Sequence, residues 1–280
     1  MLNKLIDEIE KVIKGKKEKL KIILSGFLSN QHILINDIPG VGKTTLAKTF
    51  SKVLSMQFKR IQFTADMLPS DIIGVNYFDI NKKEFIFKKG AIFSEIVLAD
   101  EINRATPKAQ SALLEAMEER QVTIDGKSFK LSDNFFVIAT QNPNEYGIYP
   151  LPLSQIDRFG ISLSIGYPDK EFEKLILKRG EITLNSFNIL EIKERVKTIF
   201  IDDKILELLL KIASISRDGL FEVGLSTRAL LSIQEIAKAW ALINNREFVI
   251  DQDIFDILEF CINHRLKDNE AHKKILQTIL

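Results

Sequence analysis

A run near the start of the chain combines two glycines with a lysine and a hydroxyl group, reading Asp-Ile-Pro-Gly-Val-Gly-Lys-Thr over residues 37–44. Gly40 and Gly42 let the backbone turn tightly, so that successive N–H groups can point at a single anion. Lys43 can place a positive charge beside the β- and γ-phosphates of a nucleotide, and the hydroxyl of Thr44 suits Mg²⁺. These residues are therefore candidates for binding a nucleoside triphosphate.

A second segment places two carboxylates at the end of an apolar run. Residues 96–99 read Ile-Val-Leu-Ala, as expected for a buried strand, and Asp100 and Glu101 follow directly. Carboxylates in this position can act on Mg²⁺ and on the water that attacks the terminal phosphate. Together the two segments predict an ATPase that uses Mg²⁺.

The elements around the glycine-containing run are those that a phosphate-binding loop requires. An apolar run at residues 32–35 predicts a strand before the loop, and residues 44–53 favour a helix after it. The usual pattern G-x-x-x-x-G-K-[ST] has glycine where this chain has Asp37, which is a departure from that pattern. The residues predicted to bind the nucleotide through this loop are Asp37, Pro39, Gly40, Val41, Gly42, Lys43, Thr44 and Thr45.

The first half of the chain alternates predicted strands and helices. Thr106 and Pro107 give a capping residue followed by proline at the first helical position, and they predict a helix that runs to about residue 120. Alternating apolar and polar residues around Asn81, and the pair Asp125-Gly126, predict two hairpins. Strands are expected near residues 32–36, 58–63, 92–99, 135–140 and 161–165, and a helix at 44–55.

Beyond residue 168 the pattern changes to helices alone. Apolar residues recur with helical spacing in three stretches, which begin near Ile205, Ala229 and Ile254. Strands and helices followed only by helices predict an α/β core with a separate helical domain. We therefore predict a nucleotide-binding core over residues 1–167 and a helical lid over residues 168–280, with a hinge near 166–168.

Composition and charge argue against several classes of protein. The 280 residues are 45% hydrophobic and 28% charged, and no stretch is apolar for long enough to span a membrane. The formal net charge of +1 gives no overall electrostatic reason for nucleic-acid binding. The N-terminus has the pattern of an amphipathic helix rather than a signal peptide, and Cys261 is expected to be a small buried side chain. These features predict a cytoplasmic protein.

Longer segments resemble the AAA+ ATPases of the MoxR group, over nearly the whole chain. The most specific is Leu-Ala-Asp-Glu-Ile-Asn-Arg-Ala at residues 98–105, followed by Gln-Ser-Ala-Leu-Leu-Glu-Ala-Met-Glu-Glu-Arg-Gln-Val-Thr at 110–123. The family also accepts an acidic residue at the position of Asp37. The resemblance implies an α/β fold with a five-stranded parallel sheet in the order 5-1-4-3-2 and a C-terminal helical lid. Further similar motifs lie at residues 62–64, 68–71, 139–143, 149–152, 157–159 and 224–229.

The resemblance also implies roles for individual residues. Asp100 would hold Mg²⁺ through water, with Thr44 as the other metal-site residue, and Glu101 would orient and activate the attacking water. Asn142, which follows the next predicted strand, is similar to the polar sensor that positions this water near the γ-phosphate.

Two arginines of the chain resemble residues that reach the nucleotide from outside the loop. Arg228 is similar to the lid arginine that contacts the nucleotide from the helical domain. Arg158 resembles the arginine finger that enters the site of a neighbouring subunit, where a guanidinium stabilises the charge of the transition state. Arg104 is the alternative for the finger.

The resemblance extends to the segment that lines the adenine, which here contains Val12, Ile13 and Gly15. Core packing alone would explain Val12 and Ile13 almost as well. Two departures lie near the expected subunit interface: residues 144–148 are one residue shorter than the family form, and Leu153 replaces a usual glutamate. The geometry of assembly is therefore less firmly implied than nucleotide binding.

The resemblance implies that ATP and Mg²⁺ bind to a homo-oligomeric ring, expected to be a hexamer. Such a ring would be a chaperone-like remodeller that assembles or activates protein complexes, often with a partner that contains a von Willebrand factor A domain. Two alternatives stay open. Related rings with hairpin insertions pull DNA, and charge that lines a pore would not show in the total charge. A nucleotide-gated scaffold without hydrolysis is the other, and an intact Asp100-Glu101 pair with Asn142 argues against it.

Overall fold

Strands and helices alternate through the first half of the computed structural model, which describes residues 1–142, 147–178, 180 and 182–279. The strands are β1 (Ile33–Asn36), β2 (Phe58–Gln62), β3 (Gly74–Asp79), β4 (Glu84–Lys89), β5 (Ile96–Asp100), β6 (Gln121–Ile124), β7 (Lys127–Lys130), β8 (Phe136–Gln141) and β9 (Ile161–Leu163). The α-helices are α1 (Leu2–Glu10), α2 (Lys17–Leu28), α3 (Lys43–Val53), α4 (Pro69–Ile73), α5 (Pro107–Glu119), α6 (Leu153–Ile156), α7 (Lys170–Leu177), α8 (Leu190–Val196), α9 (Asp203–Arg217), α10 (Thr227–Ile243), α11 (Asp251–Leu266) and α12 (Ala271–Ile279).

Five of the strands form one parallel sheet in the order β2-β5-β8-β1-β9. Numbered within this sheet alone, the order is 5-1-4-3-2 read from the other edge, so the predicted order is confirmed. The three inner strands carry almost continuous runs of buried side chains, as a parallel sheet covered on both faces requires. Because β8 lies between β1 and β5, the segments that follow these three strands meet at one edge of the sheet.

The start of β5 and the cap of α5 differ from the sequence prediction. The strand predicted at residues 92–99 begins only at Ile96, because Ala91–Phe93 form a 3₁₀ turn. Thr106 stands at the N-cap position of α5, but its side chain makes no capping hydrogen bond. The start of α5 is therefore marked by the proline at its first position rather than by a hydroxyl cap.

Both predicted hairpins are present, and they contact each other. β3 pairs with β4 and β6 with β7, in antiparallel ladders. Asp125 and Gly126 both have positive φ, 49° and 77°, as a tight two-residue turn requires. The Asn76 side-chain amide donates to the carboxylate of Asp125 at 2.6 Å, and the rings of Phe87 and Phe129 lie 4.4 Å apart. The two hairpins thus form one surface unit.

The helical segment shares its hydrophobic core with the sheet. Buried apolar side chains of α1, α2 and β1 continue into those of α9–α12. α10 packs on α2, and α11 packs on β9. The Ser232 hydroxyl bonds to the side chain of Gln31, and His264 Nε2 bonds to the carbonyl of Phe159 at 3.0 Å. Since Gln31 and Phe159 precede β1 and β9, these contacts lie at the amino edge of the sheet.

Cys261 lies on α11 inside this core, as the sequence predicts. Burial raises the pKa of its thiol to about 12, so the thiol stays protonated at neutral pH. None of the helices formed by the described residues combines the length and the apolar character that crossing a bilayer requires.

Two histidines, of which His32 is buried and His264 is partly buried, should make the stability of the fold depend on pH. Burial, with the nearby charge of Arg120, lowers the pKa of His32 to about 3, and burial beside Arg265 lowers that of His264 to about 3. An unfolded histidine binds a proton below about pH 6.5, whereas these two stay neutral in the native state, so unfolding becomes easier as pH falls. We expect each to reduce the free energy of unfolding by about 1.4 kcal/mol per pH unit below its unfolded pKa.

Urea titrations between pH 6.5 and 5 would measure this dependence. In His264→Gln the side-chain amide can still donate to the carbonyl of Phe159, but one of the two proton-linked terms is removed. The variant should therefore lose about half of the pH dependence. A free energy of unfolding that is constant across this interval in the parent chain would contradict the assignment.

Candidate functional site

The run at residues 37–44 forms an open, glycine-dependent loop between β1 and α3. Gly40 and Gly42 have φ values of 88° and 91°, in the left-handed region that favours glycine. Apart from the glycine and its two chain neighbours, no heavy atom of the described residues lies within 4 Å of the position that a Cβ would take at Gly40 or Gly42, so the loop faces open space. Lys43 is buried, and its Nζ donates to the carbonyl oxygen of Asp37 at 2.9 Å. The loop is thus preformed, with its lysine held against the backbone.

Asp37 ties this loop to the segment that leads into the helical domain. Its carboxylate accepts from the Ser164 hydroxyl at 2.8 Å, from the Gly166 N–H at 3.2 Å and from the N–H of Ile165. These bonds divert the chain from the sheet, which is why β9 ends at Leu163 although the strand was predicted to reach residue 165. A glycine in place of Asp37 could not make these contacts. The departure from the usual loop pattern therefore has a structural reason.

A cavity of about 380 Å³ opens on one side of the loop and is largely apolar. Val12 and Ile13, which the family resemblance assigns to the adenine, line this cavity together with Val41. Gly15 does not line it: a Cβ there would lie 2.4 Å from the ring of Phe172, so this glycine allows the close approach of α7 instead. Further residues that line the apolar cavity were not predicted from the sequence, among them Lys14, Lys16, Tyr167, Pro168, Glu173 and Ile176.

A second cavity, of about 340 Å³, lies on the other side of the loop and is strongly polar. Both cavities include Gly40, Gly42 and Thr45, so they meet at the loop and form one cleft with an apolar end and a charged end. This arrangement suits a base at one end and a triphosphate at the other. The polar cavity is lined by Pro39, Gly40, Gly42, Lys43, Thr44, Thr45, Arg60, Asp100 and Glu101.

Asp100 is held by two neighbours on adjacent strands. Its Oδ1 accepts from the hydroxyl of Thr140 at 2.7 Å, and its Oδ2 accepts from Nε and Nη2 of Arg60 at 3.0 and 2.6 Å. The Thr44 hydroxyl and this carboxylate line the same cavity, and oxygen ligands of this kind fit Mg²⁺. Arg60 was not predicted. No local sequence motif indicates Arg60. It reaches Asp100 only because β2 pairs with β5.

Glu101 adopts an unusual backbone conformation, with φ 58° and ψ 49°. A non-glycine residue in the left-handed region is strained, and such strain occurs often at functional sites. Its N–H donates to the Thr140 hydroxyl at 2.9 Å, while its Oε2 accepts from Gln62 Nε2 at 2.7 Å and from Arg104 Nη1 at 3.0 Å. Gln62 and Arg104 therefore fix the direction of the Glu101 carboxylate. Gln62 was not predicted as a site residue. Arg104 contacts the acidic residue of its own chain.

Asn142 lies at the same edge of the sheet. It follows Gln141, which is the register partner of Asn36 at the end of β1, and the N–H of Asp37 donates to the carbonyl of Gln141 at 3.2 Å. The Asn103 side chain donates to the Asn142 carbonyl at 3.0 Å. Asn142 thus stands between the loop and the acidic strand. Residues 143–146, which include most of the segment predicted to be shortened, lie outside the described residues.

Arg158 and Arg228 lie together, away from the cleft. Nη2 of Arg158 is 3.0 Å from Oε2 of Glu118, and Nη2 of Arg228 bonds to the other oxygen of the same carboxylate. The N–H of Gly160 donates to the carbonyl of His32, so this segment is at the amino edge of the sheet. At about 3.3 Å per residue, the five steps of chain from His32 to Asp37 separate this edge from the phosphate loop by roughly 16 Å. Neither arginine lines the cleft, so the structure does not place Arg228 at the nucleotide site of its own chain.

Comparison with known families agrees with this architecture. The sequence profile of the "ATPase family associated with various cellular activities (AAA)" matches residues 32–161, and that of the "AAA lid domain" matches residues 217–279. The first match contains the loop, the acidic strand and Asn142. The second covers most of the helical segment.

Individual proteins are similar over nearly the whole chain. The uncharacterised protein YeaC of Bacillus subtilis is 41% identical over 277 residues, which cover 95% of this chain and 87% of that protein. The protein named Chaperone MoxR1 of Mycobacterium tuberculosis is 37% identical over 283 residues, which cover 95% of this chain and 75% of that protein. A crystal structure of a protein from Cytophaga hutchinsonii, which carries a provisional ATPase assignment, has a TM-score of 0.90 at 35% identity and covers 98% of this chain and 93% of that one.

Proposed function

The chain belongs to the MoxR family of AAA+ ATPases, and from that membership we propose that it binds ATP with Mg²⁺ at the carboxyl edge of its sheet and hydrolyses it. The observation that carries this proposal is the single cleft on both sides of Gly40 and Gly42. Its apolar end fits the adenine, and its polar end holds one buried lysine and two carboxylates.

In this mechanism the phosphate loop and Lys43 bind the β- and γ-phosphates. Thr44 and Asp100 would hold Mg²⁺, which when bound neutralises charge on the phosphate oxygens. Glu101 orients the attacking water and accepts its proton, while Gln62 and Arg104 fix the direction of its carboxylate.

The sensor residue acts on the same water from the neighbouring strand. Asn142, at the end of β8, positions this water beside the γ-phosphate. The side-chain amide of Asn103, which donates to the carbonyl of Asn142, supports Asn142 in that place.

The two arginines that the family resemblance assigns to the nucleotide, Arg158 and Arg228, do not line the cleft of their own chain, which supports a homo-oligomer. Arg158 and Arg228 are on the far edge of the sheet, where they would face the cleft of an adjacent copy. We therefore propose a closed ring, which the family resemblance implies to be a hexamer, in which both arginines act on the neighbour's ATP. Arg104 remains the alternative finger, although it contacts Glu101 of its own chain. The helical domain proposed for residues 168–280 carries Arg228.

Replacing Lys43 with alanine tests the binding step. The change removes charge-assisted hydrogen bonds to the phosphates, so ATP affinity should fall by about 10- to 100-fold, equivalent to about 1.5–3 kcal/mol. The measurement is the rise in melting temperature with added ATP, since a ligand that binds only the native state stabilises it. Lys48→Ala, on the exposed face of the same helix, is the matched control. A Lys43→Ala variant that keeps the full ATP-dependent shift would refute the loop assignment.

We further propose a chaperone-like role in remodelling protein complexes. One of the relatives is named a chaperone, and the β3–β4 hairpin exposes Ile80 and Phe85 at 80% and 74% of their surface. Exposed apolar side chains of this size fit contact with another protein. The partner with a von Willebrand factor A domain, and the client, stay predictions. Capture with the ATP-bound Glu101→Gln variant, compared with Glu101→Gln that also carries Ile80→Ser and Phe85→Ser, would test whether the hairpin selects them.

One observation favours a nucleic-acid motor as the second candidate. The two hairpin segments, residues 74–89 and 121–130, contain six lysines and three carboxylates, although the whole chain is almost neutral. A positive surface of this kind could follow a phosphate backbone. DNA binding by the assembled protein that weakens steeply with salt would favour the motor. Salt-independent or undetectable binding would favour the protein remodeller.

A further inference from the structure

Glu118 joins the two arginines that lie outside the ATP cleft. We infer that Glu118 is a positioning residue, which sets Arg158 and Arg228 side by side as one receptor for the terminal phosphate held by an adjacent copy. This inference rests on the proposed function, because it assumes that the arginines act between subunits. Glu118 lies on α5, outside both the phosphate loop and the acidic strand.

The carboxylate of Glu118 bridges the two arginines. Each of its oxygens contacts one guanidinium: Oε2 contacts Arg158 at 3.0 Å, and Oε1 contacts Arg228. Two guanidinium groups so close would repel each other without an anion between them. Each guanidinium has several N–H donors, and the contact with Glu118 engages Nη2 of each. Further donors on the same two planes can then bind phosphate oxygens.

The side chain of Arg158 contains a buried donor whose hydrogen bond is unmet. Nε of Arg158 is buried and has no hydrogen-bond partner among the described residues. A buried donor without an acceptor is costly, and such groups in native structures require an explanation. Reorientation of the guanidinium on assembly, which would bring Nε to an acceptor supplied by the adjacent copy, would be such an explanation. The side chains of Glu118 and Arg228 keep 31% and 51% of their surface exposed.

Hydrogen bonds around Asp157 connect the segments that carry Arg158 and Arg228. Asp157, next to Arg158 in sequence, accepts from the Ser226 hydroxyl at 2.8 Å and from Arg265 Nε at 2.8 Å. Ser226 is the N-cap of α10, whose second residue is Arg228. Arg265 is buried, and it also donates to the carbonyl of Asp157. The backbone segments that carry both arginines are therefore attached to one frame, and the contacts with Glu118 orient the two guanidinium groups.

The test compares Glu118→Gln with Glu119→Gln in the assembled protein. Glutamine keeps the size of the side chain but loses the charge that holds two cations together. Since small displacements of catalytic groups have large effects, kcat should fall by about 10- to 100-fold, with KM for ATP within about twofold of the parent. Glu119 is the adjacent exposed residue of the same helix, and Glu119→Gln should keep the parental kcat. Glu118→Asp should recover part of the loss.

A coupling measurement separates positioning from an unrelated surface role. If Glu118 acts through the arginines, Arg228→Ala should cost much less activity in the Glu118→Gln background than in the parent chain. Additive losses would overturn the inference. So would parental kcat in Glu118→Gln, or a loss that disappears when the protein concentration is raised until sedimentation shows the parental assembly.

The same series distinguishes failure of this inference from failure of the proposed function. If Arg158→Ala and Glu101→Gln both abolish turnover while Glu118→Gln does not, only the role of Glu118 is refuted. If Arg158→Ala and Glu101→Gln keep parental turnover, the proposed function itself fails. Mixing Glu118→Gln with Glu101→Gln should restore turnover, because some interfaces would then combine an intact arginine pair with an intact cleft.

Discussion

Arg158→Ala should lower the kcat of the assembled protein by about 10³- to 10⁵-fold, with ATP binding to the phosphate loop retained. The reason is the separation of the two sites within one chain. Arg158 is at the amino edge of the sheet, about 16 Å from the loop by the length of chain from His32 to Asp37, so it cannot neutralise charge on the ATP of its own chain. Its guanidinium would act only where another copy presents a loaded cleft.

Mixed assemblies of two variants test whether Arg158 acts on the ATP of a neighbouring subunit. Arg158→Ala has an intact cleft and Glu101→Gln has an intact arginine, so each should be inactive alone and the mixture should recover turnover. Steady-state ATP hydrolysis at a series of mixing ratios measures the recovery. Arg104→Ala is the matched comparison, because Arg104 contacts Glu101 within one chain. Recovery with Arg104→Ala but not with Arg158→Ala would transfer the finger role to Arg104.

Glu101→Gln should bind ATP as tightly as the parent chain but hydrolyse it about 10²- to 10⁴-fold more slowly. Glutamine can still bond to Gln62 and keeps the shape of the site, but it cannot accept the proton of the attacking water. Single-turnover hydrolysis measures the chemical step, and titration with a fluorescent ATP analogue measures affinity. The experiment therefore separates the reaction from binding.

The control for Glu101 is Glu115→Gln, which changes an exposed carboxylate of α5 outside the cleft and should keep parental turnover. Parental turnover in Glu101→Gln would remove this residue from the mechanism. Loss of affinity together with turnover would assign it to nucleotide binding instead, since its carboxylate also contacts Arg104.

The sequence determined the parts of this protein that depend on local chemistry. Gly40, Gly42 and Lys43 predicted the phosphate loop because the turn and its charge are encoded in consecutive residues. Apolar runs predicted the strands, and Asp125-Gly126 predicted a hairpin turn. The strand order 5-1-4-3-2 came from the family resemblance, and the sheet confirms it.

Only the tertiary structure decided which distant residues share a site. Gln62 and Arg60 reach the acidic residues because β2 pairs with β5, and Gly15 packs on α7 instead of lining the cleft. Arg228 is beside Arg158 because Ser226 and Asp157 join α10 to the segment before β9. Such contacts join residues far apart in sequence, and no local pattern records them. The loop and the acidic strand could therefore be predicted from sequence, whereas the separation of the arginines from their own cleft required the fold.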